Sequence, residues 1–535
     1  MAKKNQENST VNKKIWLENI FSNTIVLLLI LGIGGIIIRL VFFPHAIPLG
    51  MDASTYFWYA TDMSILGNFP SDEQLHLEHS QLTNNGWPSF LSVIFSFYNS
   101  NNIFDYMVIQ RYTTMIISVL TIIPVYKLCS KFFNKYYSII GAALFVFEPR
   151  IILNSLSGIT EPAFILIGTS SIALFFSNNK KAIYCAFGLA SIFALIRYEG
   201  LVLLIPLTIM FFVRFRREKT VFFKYAIVIG IILLILVPMA YIRIENTGND
   251  GLISHIVKGP VYYQKVSEIE NQETNAFQNF AYVGSLNLIK FLGYVTVPVF
   301  VLFAPIGLLL FFRNRDYKKN TIIFVSLLFL LPAFYAYSRD ILELRYLYIL
   351  YPIFCLLSLY TIDKLLGKTS KKIIVSIVII FGVIISSIIF LDYKTENYEH
   401  EREAFLIAQH IDLFTETING YHPEDQYYDD FRPSNLGTFP VLSNSIEPRI
   451  KLLYTTEFNS LKDFLEYGNK HGLSHLVIDE NQSRPDFLKD VFYNEEKYPF
   501  LKIEFDSKEK GFQYHVKAFK IDFDIYKKFY IEQAN

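Results

Sequence analysis

The chain has 535 residues, of which 52% are hydrophobic, including 50 Phe and 35 Tyr. Its mean hydropathy is +0.32. Apolar runs of roughly 15 to 22 residues recur between Thr24 and Leu391, which predicts a polytopic membrane protein. The net charge of +1 gives no indication of a nucleic-acid partner, and none is predicted. The cysteines lie in or beside apolar runs without a CxxC motif, so we expect neither a disulfide framework nor a zinc site.

The chain begins with a polar segment, residues 1–20, which carries four lysines. The first apolar run, Thr24–Phe43, is too long for the core of a signal peptide and is followed by no small-residue cleavage pattern. We therefore expect a retained first helix. Gly50–Tyr59 follows almost at once, and its Asp52 is surrounded by aromatic residues. Because aromatic residues favour the membrane interface, a carboxylate held among them is a functional-site candidate.

Lysine and arginine clusters between the apolar runs predict the topology, because such clusters favour the cytoplasmic side. If all of them are cytoplasmic, each interval between two clusters contains an even number of crossings. The interval lengths satisfy this condition and predict about eleven transmembrane helices, with a cytoplasmic N-terminus. The predicted outer turns include Glu148–Glu161, Arg197–Gly200 and Ser338–Arg345, and a last span, Ile373–Leu391, leads outward.

The composition changes near Tyr393, and the tail that follows is polar and contains no further apolar run. Leu461–Lys470 has apolar residues at helical spacing and is followed by a His-Gly helix stop. The stretches that predict strands are Ser474–Asp479, Phe500–Phe505 and Tyr514–Ile521. We therefore predict a polytopic α-helical membrane protein with three parts: a cytoplasmic tail (1–20), a transmembrane domain (21–392) and a C-terminal extracytoplasmic α/β domain (393–535).

This topology gathers polar residues on the outer face of the membrane domain. They are Asp52, Tyr56, Glu78 and His79 in the first outer loop, Glu148 and Glu161 in the second, Arg197 and Glu199 in the third, and Arg345 and Tyr346 in a later one. Simpler interpretations stay open for several of them. Arg197 and Glu199 would pair with each other at a helix end, Arg345 would snorkel to the interface, and the remaining loop residues would be solvated.

Such a set of residues suits a lipid-linked phosphate donor. Arginine binds phosphate through a bidentate fork, so Arg345 and Arg197 suit the donor phosphate. A carboxylate such as Asp52 takes the proton from an acceptor hydroxyl as that hydroxyl attacks the donor's sugar carbon. Two acidic residues from different loops, such as Asp52 and Glu148, would also suit a divalent metal, so metal dependence is left open.

The stretch Asp52-Ala-Ser-Thr-Tyr56 resembles the first-loop signature of GT-C glycosyltransferases. Other stretches, in the same order, resemble motifs of the protein O-mannosyltransferase and aminoarabinose transferase-like groups: Asn84–Leu91, Gly158–Pro162, Ala194–Gly200 and Arg345–Pro352. The resemblance covers roughly residues 20 to 395 and departs from the pattern where Ala53 stands in place of Glu and Ile349 in place of Pro. The Trp-Trp-Asp signature of oligosaccharyltransferases is absent, which argues against en-bloc transfer to asparagine.

The resemblance implies a multi-pass enzyme of the cell membrane with a GT-C fold. Such an enzyme transfers a sugar, with inversion, from a polyprenyl- or dolichyl-phosphate donor to a lipid, glycan or protein acceptor. The resemblance also implies roles for single residues. Asp52 would be the catalytic base, Glu148 the second acid with Glu161 as the alternative, and Arg345 the ligand of the lipid phosphate.

Two other functions stay open at this stage. A transporter or flippase of a lipid-linked substrate would carry ionisable residues along the middle of its spans and paired broken helices. Here the ionisable residues cluster at one mouth of the predicted bundle, which favours an enzyme at one interface. An inactive scaffold that keeps the mouth only for lipid binding is the third interpretation.

Overall fold

The fold is described from a computed structural model. The structure describes residues 23–45, 47, 49–67, 85–100, 103–254, 276–367, 372–394, 399–411, 416–420, 451–455, 458–481 and 484–534. The chain divides into two compact units. One comprises Met1–Phe43, Asn68–Ile94 and Ile109–Lys394, and the other Pro44–Gly67, Phe95–Val108 and Thr395–Asn535. The division into three domains stays a prediction.

Helices account for most of the described chain up to residue 394. In chain order they are α1 Thr24–Val41, α2 Met51–Thr61, α3 Gly86–Ser96, α4 Ile103–Leu120, α5 Ile122–Cys129, α6 Lys135–Val146, α7 Pro149–Leu156, α8 Glu161–Phe175, α9 Lys180–Ile196, α10 Leu201–Phe215, α11 Val221–Thr247, α12 Ala276–Thr296, α13 Ala304–Phe311, α14 Tyr317–Tyr337, α15 Tyr351–Leu366 and α16 Lys372–Tyr393. Short 3₁₀ turns, Tyr198–Gly200 and Leu344–Leu350, precede α10 and α15, and a π-helical turn, Asp62–Leu66, follows α2.

The apolar helices make this chain an integral membrane protein. By length and composition, the described residues contain seven helices able to cross a membrane, or eight if the bent pair α6 and α7 is one span. A helix pairs its backbone N–H and C=O groups within its own segment, as a lipid environment requires. The count of about eleven spans stays a prediction.

The bent pair α6 and α7 lies where the sequence predicts a turn. The two helices meet at an angle of 52°. Pro149 opens α7, and the residue before a proline is biased away from the helical conformation, so Glu148 adopts an extended backbone. The carboxylate of Glu148 then accepts the backbone N–H of Ile151 at 2.7 Å. The residue types at this point therefore end one helix and start the next.

The helices differ in how deeply they are packed within the first unit. The apolar window of Leu344–Leu366 is 72% buried, whereas that of Val221–Asn246 is only 6% buried. The first stretch, which contains α15, therefore forms the centre of the bundle. By contrast, α11 presents apolar side chains such as Leu234, which is 75% exposed, as expected for a helix that faces lipid.

The second unit contains α2 and the polar tail, which folds as an α/β domain. Its tail elements are α17 Glu399–His410, β1 Thr417–Gly420, β2 Lys451–Tyr454, α18 Leu461–Lys470, β3 His475–Asp479, α19 Asp486–Tyr493, β4 Leu501–Asp506, β5 Val516–Ile521 and α20 Phe523–Ala534. The predicted helix and strands of the tail are thus confirmed, with boundaries shifted by one or two residues. The predicted stop after α18 is also present, since Gly472 has a φ of +80°.

The strands form one mixed sheet in the order β2-β1-β3-β5-β4. β1 pairs in parallel with β2 and β3, while β5 pairs antiparallel with β3 and β4. β3 is buried along its whole length because both of its faces are covered. Leu476 and Ile478 pack with α18, α19 and α20 on one face, whereas Val477 packs with α17 on the other. The domain therefore has three layers.

Candidate active site

Four of the predicted charged residues meet in the first unit: Glu161, Arg197, Glu199 and Arg345. Glu161 stands in the first turn of α8, where the helix dipole favours an acidic side chain. Arg197 and Glu199 come from the turn between α9 and α10, and Arg345 from the 3₁₀ turn before α15. Three separate chain segments thus bring two arginines and two carboxylates to one place.

The turn between α9 and α10 is tight because Gly200 lies against the backbone of α9. A Cβ atom at Gly200 would lie 2.6 Å from the carbonyl oxygen of Phe193 and 2.7 Å from the nitrogen of Ala194. A side chain at this position would therefore collide with backbone atoms. The glycine allows Arg197 and Glu199 to project from a turn of only a few residues.

Arg197 is held by two carboxylates. Its Nη1 lies 2.7 Å from Oε1 of Glu161, and its Nη2 lies 2.8 Å from Oε1 of Glu199. The guanidinium also lies 5.8 Å from the ring centres of Phe164 and Tyr346. Because its side chain is only 17% exposed, these charge-assisted contacts are weakly screened by water. The Arg197–Glu199 pair of the simpler interpretation is thus present, and it is part of a larger cluster that includes Glu161.

Arg345 is held less closely by the carboxylates around it. Its Nη1 lies 4.0 Å from Oε1 of Glu161, and its Nε lies 3.5 Å from Oε2 of Glu343. Both distances exceed the 2.7 to about 2.9 Å of a charge-assisted hydrogen bond. The side chain is 25% exposed. Arg345 therefore lies farther from these two carboxylates than Arg197 lies from Glu161 and Glu199.

The cluster lines a cleft whose empty space is about 410 Å³, including the solvent at its mouth. The charged lining residues are Glu161, Arg197, Glu199 and Arg345, and the other lining residues are Phe164, Ile165, Phe329, Pro332, Tyr346 and Ile349. One cleft thus combines four charged side chains with mostly apolar ones from α8, α14 and the 3₁₀ turn before α15. This combination suits a molecule with a charged head and an apolar tail.

Part of a second predicted motif, at Asn85 and Gly86, lies directly against the end of α9, next to the Arg197 turn. A Cβ atom at Gly86, at the start of α3, would lie 2.5 Å from the carbonyl oxygen of Leu195. The neighbouring Asn85 accepts a hydrogen bond from Nη1 of Arg243 at 2.8 Å through its Oδ1 atom, and both side chains are buried. The start of α3 is thus fixed to the end of α9, two residues before Arg197.

Glu148 does not line this cleft. Its side chain is fully buried, and one of its oxygens caps α7 through Ile151. Arg39 of α1, a residue to which the sequence assigned no role, contacts the last residue of α6, Val146, two positions before Glu148. Arg39 donates to the carbonyl oxygens of Gly35 and Val146 and to two serine hydroxyls, Ser118 and Ser155, at 2.9–3.0 Å. The break between α6 and α7 therefore has a cation at the carbonyl end and a carboxylate at the amide end.

Asp52 and Tyr56 belong to the second unit, so the cluster is described without them. Both lie in α2, with Asp52 in its first turn and Tyr56 one turn later on the same face. The sequence predicts a loop around Asp52, whereas the structure has a helix that starts at Met51. Both side chains are half-buried. Glu78 and His79 lie outside the described residues.

The described residues do not supply a ligand set for a divalent metal. Within them, no group of three or more His, Cys, Asp or Glu side chains is placed to hold an ion. Glu161 and Glu199 both face the guanidinium of Arg197, and Glu148 caps a helix.

The apolar residues that line the cleft were not predicted from the sequence. Phe164, Phe329 and Ile349 lie inside apolar runs, where nothing in the sequence separates a lining residue from a core residue. Arg39 is recognisable in the sequence as a lone arginine within the first apolar run, where an arginine needs buried partners.

No protein-family profile and no curated protein sequence matches the chain. Several solved structures do match. The oligosaccharyltransferase of Archaeoglobus fulgidus in complex with Zn and sulfate has a TM-score of 0.54 and 13% identity, over 85% of this chain and 68% of that chain. The archaeal oligosaccharyltransferase AglB from Archaeoglobus fulgidus, with an inhibitory peptide and a dolichol-phosphate, has a TM-score of 0.52 and 12% identity, over 91% and 73%.

ArnT from Cupriavidus metallidurans, bound to undecaprenyl phosphate, has a TM-score of 0.54 and 10% identity, over 92% of this chain and 97% of that chain. The oligosaccharyltransferase and ArnT are both GT-C enzymes, and identities this low show the fold alone. The predicted resemblance to GT-C glycosyltransferases is therefore confirmed at the level of the fold. The chain has the fold of the GT-C membrane glycosyltransferases.

Proposed function

We propose that this protein transfers a sugar from a polyprenyl- or dolichyl-phosphate donor to an acceptor at one membrane interface. The observation that carries the proposal is the cleft, whose lining combines Arg345 and three other charged side chains with mostly apolar ones. The donor phosphate would bind Arg345, and the first part of the lipid tail would lie along Phe329, Pro332 and Ile349. The lipid phosphates in the structures of AglB and ArnT support this class of donor.

The proposed reaction is a single displacement with inversion. The acceptor hydroxyl attacks the anomeric carbon of the donor sugar, and the bond from that carbon to the phosphate oxygen breaks. The electron pair leaves with the polyprenyl phosphate, whose growing charge faces Arg345. The proton of the acceptor passes to the carboxylate of Asp52, which acts as the base. The acceptor is a lipid, a glycan or a protein side chain.

We assign the two candidates for the second acid different roles. Glu161 lines the cleft and contacts Arg197 at 2.7 Å. Glu148 is fully buried and caps α7. In the proposed function Glu161 therefore belongs to the site, whereas Glu148 holds the bent pair α6 and α7 in place. Tyr346 and Glu199 complete the surroundings of Arg197.

Transfer assays on the full chain in lipid nanodiscs test the proposal. The donors are undecaprenyl- and dolichyl-phosphates that carry a panel of radiolabelled sugars, with a lipid extract and peptides as acceptors. We expect at least one donor to be turned over. The Asp52→Asn variant is expected to lose a factor of about 10² to 10⁴ in kcat, the usual contribution of a general base.

Asp105→Asn is the matched control, because Asp105 also stands in the first turn of a helix of the second unit and accepts a hydrogen bond from Ser100. It is expected to keep wild-type activity. Full activity of Asp52→Asn would show that another group is the base. Movement of the lipid between leaflets without turnover of any donor would favour a transporter, and lipid binding alone would favour a scaffold.

A further inference from the structure

The two arginines of the cleft share one carboxylate oxygen. Oε1 of Glu161 lies 2.7 Å from Nη1 of Arg197 and 4.0 Å from Nη1 of Arg345. Arg197 has a second carboxylate, Glu199, at 2.8 Å. Glu161 therefore neutralises an arginine that already has a partner, and its charge also acts on Arg345.

Burial makes the charge of Glu161 effective on Arg345. The side chain of Glu161 is 4% exposed, whereas that of Glu343, a second carboxylate close to Arg345, is 51% exposed. Water and salt screen an exposed charge far more than a buried one. Of these two carboxylates, Glu161 thus has the greater influence on the affinity of Arg345 for an anion, although Glu343 is nearer.

We propose that Glu161 is a built-in counter-ion that competes with the phosphate for Arg345 and so promotes release of the polyprenyl phosphate product. This inference rests on the proposed function of the cleft. The donor is a phosphodiester with one negative charge, whereas the product is a phosphomonoester with about 1.5 to 2 negative charges near pH 7. An unopposed Arg345 would therefore hold the product more tightly than the donor. A fixed carboxylate nearby lowers both affinities and reduces that of the more highly charged product most.

Glu161 is a positioning residue in this account, since it acts through Arg345. The Glu161→Gln variant separates its charge from its shape, because glutamine keeps an acceptor for Nη1 of Arg197. We expect this variant to bind undecaprenyl phosphate roughly tenfold more tightly, which corresponds to about 1.4 kcal/mol. Its donor KM is expected to fall less than the product Kd, and its kcat is expected to fall because the product leaves more slowly.

The matched control is Glu343→Gln, which removes the exposed carboxylate beside the same arginine. We expect its affinity for undecaprenyl phosphate to change by less than about twofold. Binding of sugar-free undecaprenyl phosphate is measured on the full chain in nanodiscs for wild type, Glu161→Gln, Glu343→Gln and Arg345→Ala. Thermal unfolding establishes that each variant is folded.

The outcomes separate this inference from the proposed function. If Arg345→Ala binds undecaprenyl phosphate like wild type, the phosphate is not at Arg345 and the proposed site is wrong. If Arg345→Ala loses binding while Glu161→Gln binds no more tightly than wild type, the site stands and the counter-ion role is wrong. A second measurement needs only the wild type. Undecaprenyl phosphate is expected to inhibit transfer with a Ki within about threefold of the donor KM, and a Ki more than about tenfold below it would contradict the counter-ion role.

Discussion

Replacement of Arg197 by lysine tests whether the cleft depends on the fork of the guanidinium rather than on positive charge. Arginine reaches Glu161 with Nη1 and Glu199 with Nη2. Its Nε also points towards Oε2 of Glu199 at 3.4 Å. A lysine ammonium is a single point charge that cannot occupy both positions. In the Arg197→Lys variant, one of the two carboxylates therefore loses its cation.

The expected cost follows from the burial of the three side chains. Glu161 is 4% exposed, Glu199 10% and Arg197 17%. Removal of one partner from a fully buried ion pair costs about 3–5 kcal/mol. Because the side chain of Arg197 is partly exposed, water relieves some of this cost. We therefore expect Arg197→Lys to lower the free energy of unfolding by about 2–3 kcal/mol.

Equilibrium unfolding in mixed micelles, followed by circular dichroism, measures this change. Arg402→Lys is the matched control, since Arg402 pairs with Glu399 at 3.2 Å but both side chains are more than 40% exposed. The control is expected to change stability by less than about 0.5 kcal/mol. If Arg197→Lys is as stable as the control, the two carboxylates do not depend on the fork, and the account of Arg197 as a fixed element of the cleft is refuted.

Two further substitutions test buried contacts between helices by the same unfolding measurement. Gly86→Ala places a Cβ atom 2.5 Å from the backbone oxygen of Leu195, so we expect a loss of about 1–3 kcal/mol. Gly230→Ala is its control, because no atom lies within 4 Å of a Cβ there, and it is expected to be neutral or slightly stabilising. Arg39→Lys keeps the buried charge but cannot reach all four acceptors, so we expect a loss of about 2–4 kcal/mol. Wild-type stability of Arg39→Lys would show that its hydrogen bonds are dispensable.

The sequence predicts those parts of the fold that follow from local periodicity. The helix α18 and the strand β3 are recognisable from alternation and helix-stop residues, and the turn at Arg197–Gly200 from charged residues between two apolar runs. Breaks inside an apolar region are less predictable. Between Ala276 and Phe311 the structure has two helices, α12 and the eight-residue α13. An apolar run does not by itself reveal where a helix breaks, because the break depends on tertiary packing.

The candidate site is predictable to the extent that it consists of charged residues. Glu161, Arg197, Glu199 and Arg345 are conspicuous because they border apolar runs, and the structure brings them together. Their pairing is not predictable, since Glu161 and Arg197 are 36 residues apart in the chain. Sequence spacing carries no information about which arginine lies within 2.7–2.8 Å of its two carboxylates and which lies 3.5–4.0 Å from them. That difference, which supports both proposals, appears only in the packed arrangement.

Glu148 is predicted from the sequence as a catalytic acid, but its contacts fit a structural role. Its Oε2 accepts the N–H of Ile151 at 2.7 Å, and its side chain is fully buried at the break between α6 and α7. A glutamine keeps this cap, whereas an alanine removes it. We therefore expect Glu148→Gln to retain most of the transfer activity, and Glu148→Ala to lose about 1–2 kcal/mol of stability, the usual cost of a lost helix cap.

Glu148→Gln is the variant that distinguishes the two roles, because it removes the ionisable group and keeps an oxygen that can cap α7. Transfer kinetics and unfolding are measured on the same preparation of Glu148→Gln. A catalytic acid would lose activity by about 10² or more while the protein stays folded. If Glu148 is only a capping residue, the glutamine keeps the cap, and activity falls only in proportion to any unfolded fraction. A folded but inactive Glu148→Gln would return Glu148 to the catalytic machinery and would make Glu161 solely a counter-ion.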